Sequence, residues 1–132
     1  MSAEFVDTNV VLYSLSDDVA KRRRALAILV DRPVLSLQVL NEAANIMRRK
    51  LGFAIPAIRE VVLRWMGESR FHPLAPSTLL SALDVAERYG FSHYDSLIIA
   101  AALEAGCATL YSEDLQHGQV IDQRLTIINP FT

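Results

Sequence analysis

The chain has 132 residues, 52% of them apolar, and a formal net charge of −2; this length suits one domain, 1–132, whose core needs no disulfide or structural metal. Its longest apolar runs, such as LIIAAAL at 97–103, are far too short to cross a bilayer, and the charge total is not that of a chain built to bind nucleic acid over its whole surface. The single Cys107 cannot close an internal disulfide and MSAEFVD lacks the basic and apolar regions of a secretion signal, so the expected location is the cytoplasm and no membrane is involved.

In chain order, EFV at 4–6 reads as a strand, and the polar DTN that follows it opens a short helix near Asn9. VAKRRRALAILV at 19–30 is an amphipathic helix, PVLS at 33–36 a second strand, and Ser36 the cap of a helix that runs to about Leu51 and closes at Gly52. Pro56 opens a helix that continues through Trp65, and FHPL at 71–74 is a weak strand. Ser77 or Thr78 starts the next helix, which ends at Gly90, and another runs from about His93 to Gly106. ATLYS at 108–112 and LTIIN at 125–129 are apolar strands, with Cys107 beside the first of them as a small core residue. Strands alternating with helices predict an α/β fold with a central parallel sheet of about five strands wrapped by helices.

Of the 13 basic residues, 11 are arginine, gathered in part at Arg22, Arg23 and Arg24 and again at Arg48 and Arg49 before Lys50. Each run reads either as a solvated helix face or as a contact to phosphate, for which the guanidinium fork is better shaped than an ammonium.

Four acids interrupt this pattern. Asp7 follows the first strand inside FVDTNVVLY, where a buried carboxylate needs a compensating partner. Asp114, in YSEDLQHG, occupies the corresponding point after the fourth strand, with Ser112 and Glu113 as further oxygen donors. Asp95 falls in line with Ile98, Ile99 and Ala102 on the apolar side of its helix, three residues after Ser92 in a capping-box spacing. Glu42 borders the apolar stripe of its helix, beside Val39 and Ile46. Taken singly, each has an ordinary reading as a cap, a turn or a surface residue. Taken together, strand ends and the first turns of helices that descend from a parallel sheet lie at one edge, where ligands bind in such folds. Carboxylates converging there repel one another unless a cation neutralises them, and oxygen-only ligation suits Mg²⁺ or Mn²⁺.

These motifs, FVDTNVVLY, NEAANIM, SHYDSLIIAAALEAG, LYSEDLQHG and LTIINPF in this order, resemble the PIN domain family over essentially the whole chain. They are similar in particular to the small VapC-type ribonucleases that act as toxins of toxin–antitoxin pairs. The resemblance implies a PIN-like three-layer α/β/α sandwich with Asp7, Glu42, Asp95 and Asp114 as metal ligands. It also implies Ser112 as support for the last acid, and Thr8 and Asn9 as the polar positions that orient the first. Homodimerisation, a cognate antitoxin and an RNA substrate are implied likewise. The expected activity is endonucleolytic hydrolysis of RNA phosphodiester bonds, with Arg48 and Arg49 as candidate contacts to the RNA backbone. The alternative is a non-catalytic, metal-dependent module that docks RNA or protein in the same pocket. A receiver-type phosphoacceptor fits poorly, since DTN supplies no acidic pair after the first strand and the only lysines are Lys21 and Lys50. His93 and His117 read as helix-start and loop residues, and Trp65 as core.

Overall fold

The computed structural model describes residues 3–132. Its elements are β1 (Ala3–Val6), α1 (Thr8–Tyr13), α2 (Val19–Leu29), β2 (Val34–Ser36), α3 (Leu37–Arg49), α4 (Ile55–Glu68), β3 (Arg70–His72), α5 (Pro76–Tyr89), α6 (His93–Glu104), β4 (Cys107–Tyr111), β5 (Val120–Ile121) and β6 (Leu125–Ile128). The strands form one sheet in the order β3-β2-β1-β4-β6-β5, parallel except for β5, which runs antiparallel to β6. Helices flank it in a PIN-like α/β/α sandwich. Among the described residues, no helix is long and apolar enough to cross a membrane.

The five expected strands are present, and β5 is an addition. Its two residues sit in the polar stretch GQVID, too short for any alternating pattern to register. It extends the sheet beyond β6 as an edge strand, where antiparallel pairing needs only a tight turn. That turn places Asp122 and Gln123 at φ 51° and 58°, in the left-handed region that a primed hairpin turn demands.

Apolar composition on both faces of the inner strands has its expected consequence. Phe5, Val6, Leu35, Leu110 and Ile127 are fully buried, packed with Val39 and Met47 of α3 and Ile98 and Ile99 of α6. Trp65 joins the core, and Cys107 is buried with its thiol pushed up to about 11 by the loss of solvent. Ser36 stands at the N-cap position of α3, but its hydroxyl makes no capping hydrogen bond and is buried without a partner among the described residues. Gly90, at φ 77°, closes α5 in the left-handed conformation that glycine alone adopts without strain.

Register decides what meets at the sheet's upper edge. Phe5 pairs with Val34 on one side and Leu110 on the other, and Val6 pairs with Tyr111. Extending those pairings past the strands sets Asp7 between Ser36 and Ser112. The backbone of Asp7 stays tied to the sheet, its N–H donating to the Tyr111 carbonyl at 2.9 Å, and that of Ser112 donates to Ile128 at 3.0 Å. Both α1 and α3 begin at this edge, each within a residue of its strand.

Candidate active site

Asp7 is the N-cap of α1, and its carboxylate is almost wholly buried, 6% exposed. One oxygen, Oδ1, accepts from the Thr8 backbone N–H at 2.7 Å, and Oδ2 accepts from the Ser112 hydroxyl at 2.8 Å. Burial pushes its pKa up to about 6 against these two donors, and the charges of Glu42 and Asp114 push in the same direction. Glu42 and Asp114 thus lie near enough for their charges to act on Asp7.

Glu42 projects from the second turn of α3 and has a partner on each oxygen. Thr8 Oγ1 donates to Oε2 and Gln38 Nε2 donates to Oε1, both at 2.7 Å. Asp114 is held by Asn9, whose Nδ2 donates to Oδ2 at 3.2 Å while its Oδ1 accepts from the Glu113 N–H at 3.1 Å. Ser112 joins the two strand-end acids: its hydroxyl donates to Asp7 and accepts from the Asp114 N–H at 3.2 Å.

Thr8 and Asn9 differ from expectation in whom they serve. Only the backbone of Thr8 touches Asp7, while its side chain orients Glu42 and that of Asn9 orients Asp114. Successive residues of a helix point about 100° apart, so the first two side chains of α1 diverge toward neighbours on either side of the cap. Glu113 also departs from the oxygen-donor group expected at this edge. It pairs with Lys21 at 3.0 Å and accepts from the Tyr13 hydroxyl, which lowers its pKa, so its charge is settled between α1 and α2 and not beside Asp7.

Asp95 lies half-buried in the first turn of α6, its N–H donating to the Ser92 hydroxyl at 3.2 Å. The cap half of the expected box forms. No hydrogen bond among the described residues engages its carboxylate, and it is not among the charges acting on Asp7. Its link to the other acids runs through the backbone, because Gln38 Nε2 donates to the Tyr94 carbonyl at 3.1 Å as well as to Glu42. Gln38 was not singled out by the sequence. The available signal was its spacing of four from Glu42 on the helix's buried side.

Arg48 and Arg49 are exposed in the last turn of α3, roughly 9–10 Å along the helix axis from Glu42 by helical rise. His93 starts α6 at the surface, and His117 Nδ1 accepts from the Asn129 N–H at 2.9 Å, which leaves neither histidine poised against an acid of the site.

Among the described residues, no group of three or more His, Cys, Asp and Glu side chains stands close enough together to hold a metal ion. Three of the four carboxylates rest on neutral donors of their own, Asp7 on Ser112, Glu42 on Thr8 and Gln38, and Asp114 on Asn9. The chemistry of the set nevertheless fits a hard divalent cation. Its donors are all oxygens, and Asp7 carries an unfavourable charge, buried and repelled by two acids, that a cation would relieve.

The same fold occurs in solved structures of low sequence identity. A Mycobacterium tuberculosis VapC20 structure, described as a sarcin–ricin loop cleaving toxin, matches with a TM-score of 0.68 and 19% identity, over 85% of this chain and 90% of that one. A toxin–antitoxin complex from Klebsiella pneumoniae matches with a TM-score of 0.70 and 17% identity, over 98% of each chain. DNA-bound VapBC from Salmonella typhimurium gives a TM-score of 0.70 and 18% identity, over 96% and 97%. No curated protein matches the sequence. At the level of sequence the PIN domain pattern matches residues 5–121, a span that starts at β1, ends at β5 and takes in Asp7, Glu42, Asp95 and Asp114. The chain belongs to the PIN domain family.

Proposed function

We propose that this protein is a divalent-metal-dependent endoribonuclease, the toxin of a toxin–antitoxin pair. The observation that carries the reading is the buried Asp7, set beside Ser112 by strand register and lifted in pKa by burial and by the charges of Glu42 and Asp114. A fold gains nothing from holding an acid in that condition, whereas a cation site does. The structural neighbours that are toxins or toxin–antitoxin complexes support the same reading.

Asp7 and Asp95 serve as central ligands for Mg²⁺ or Mn²⁺, with Glu42 and Asp114 binding directly or through water. When bound, the ion supplies an activated water and offsets charge on the phosphodiester and leaving oxygen. The protein's own part is placement: Ser112 holds Asp7, Thr8 holds Glu42, and Asn9 holds Asp114. Neither Ser112 nor Cys107 is a candidate nucleophile, since Ser112 is fully buried and engaged on both sides and Cys107 lies at the opposite end of β4, buried with a raised pKa. Arg48 and Arg49 meet RNA phosphates away from the cleavage point, and losing one weakens binding to all sequences alike. A cognate antitoxin, a homodimer and a cytoplasmic location complete the proposal.

Cleavage of a fluorescent RNA with and without Mg²⁺, for wild type and for Asp7→Asn and Asp95→Asn, tests it, alongside binding of the same RNA. The expected result is metal-dependent cutting by wild type alone. If wild type and both variants bind RNA equally and none cuts, the chain is a non-catalytic binding module and the nuclease reading fails.

A further inference from the structure

Gln38 occupies the first turn of α3, where its side chain is 6% exposed. Its amide nitrogen is fully engaged, donating one hydrogen to Glu42 Oε1 at 2.7 Å and the other to the Tyr94 carbonyl at 3.1 Å. Those two acceptors fix which way the amide faces, because reversing it would set Oε1 against a carboxylate and a carbonyl. The outcome is that Oε1 lies buried with no hydrogen-bond partner among the described residues. An unsatisfied buried acceptor is unfavourable for folding, and it is offset here by the two hydrogen bonds that the amide nitrogen donates.

What the amide does hold is the relative placement of two elements. Glu42 sits one turn further along α3, and Asp95 follows Tyr94 directly in the first turn of α6. Thr8 pins the other oxygen of Glu42 from α1, so the two donors together fix the plane of that carboxylate. Among the hydrogen bonds of the described residues, the one from Gln38 to the Tyr94 carbonyl carries the tie from α3 across to α6. We propose that Gln38 is a positioning residue, which couples Glu42 to the Tyr94 peptide and so ties the placement of Glu42 to that of Asp95, two of the four acids of the proposed cation site. This rests on the nuclease reading above and adds to it the residue that ties the fourth acid to Glu42.

Gln38→Met keeps length and volume while removing both donors and the unsatisfied acceptor. Titration of the metal-free full chain with Mn²⁺, followed by electron paramagnetic resonance, is expected to show affinity weakened by roughly 10–100-fold, the range for losing a partner that orients a ligand. RNA cleavage loses kcat with KM for RNA unchanged, and Tm without metal falls, since Glu42 Oε1 and the Tyr94 carbonyl lose their donor. In wild type, the Gln38 side-chain amide resonances shift when Mg²⁺ is added, a measurement that needs no variant to fold. The inference is overturned, with the nuclease reading intact, if wild type binds Mn²⁺ and cuts RNA while Gln38→Met matches it, or if those resonances ignore Mg²⁺. A wild type that neither binds Mn²⁺ nor cuts RNA overturns both.

Discussion

Two acids in this molecule are held by the same device and end in opposite states. At the upper edge of the sheet, the Ser112 hydroxyl donates to Asp7 and accepts the Asp114 N–H. Beside the end of α6, the Thr78 hydroxyl donates to Glu104 and accepts the Ala75 N–H at 3.1 Å, while Ser77 donates at 2.9 Å and His72 lies at 3.3 Å from the same carboxylate. Glu104 sits below its ordinary pKa, chiefly through the Thr78 hydroxyl, whereas Asp7 is raised to about 6, chiefly through burial. The relay hydroxyl is common to both. Solvent and neighbouring charge make the difference, since Glu104 lies at the surface near a histidine and Asp7 is enclosed with two other acids acting on it. Glu104 is an acid that serves the fold, and Asp7 is one that the fold tolerates.

The contrast breaks most visibly on activity. Asp7→Asn is expected to lower RNA cleavage by more than the roughly 10–100-fold that follows loss of an outer partner, because it removes a proposed ligand itself; Glu104→Gln should leave cleavage unchanged in the same assay. Metal-free stability should move the other way. A folded-state pKa of about 6 against an ordinary 3.8 means that Asp7 stabilises the fold least when ionised, a penalty of up to about 3 kcal/mol that is absent below pH 4 and grows as pH rises through 6. Chemical denaturation of metal-free Asp7→Asn should accordingly give a more stable protein than wild type at pH 7.5, with the gap closing toward pH 4. A variant no more stable at any pH would mean that the donors of Asp7 outweigh its burial.

Smaller effects sharpen the comparison between the relay hydroxyls. Ser112→Ala loosens Asp7 and the Asp114 loop together, and Mn²⁺ affinity measured by calorimetry should fall by about 10-fold, the low end for an orienting partner. Thr78→Ala should leave that affinity untouched. Smallest is Glu104→Gln, which should cost roughly 0.5–1 kcal/mol at neutral pH, as for an exposed charged pair. Its sign with pH is opposite to that of Asp7: the lowered pKa of Glu104 stabilises above the ordinary 4.5 and is lost as pH falls through the depressed value, so wild type and variant should converge in acid unfolding curves.

The sequence by itself determined the alternation of strands and helices, and with it the edge at which Asp7 and Asp114 emerge. Hydrophobic period and punctuation are local properties, legible from EFV, from ATLY and from Gly90. It also marked the acids, because an ionisable group in an apolar run is conspicuous without any structure. The tertiary fold alone decided which side chain meets which: that Thr8 turns to Glu42 and not to Asp7, that Glu113 leaves the site for Lys21, and that a glutamine joins α3 to α6. Those contacts join residues distant in sequence, and hydrogen-bond direction depends on how helices are rotated about their axes when they pack, which composition and spacing do not encode. Strand β5 escaped the sequence for a related reason, as two residues gain their pairing from the neighbour they lie against.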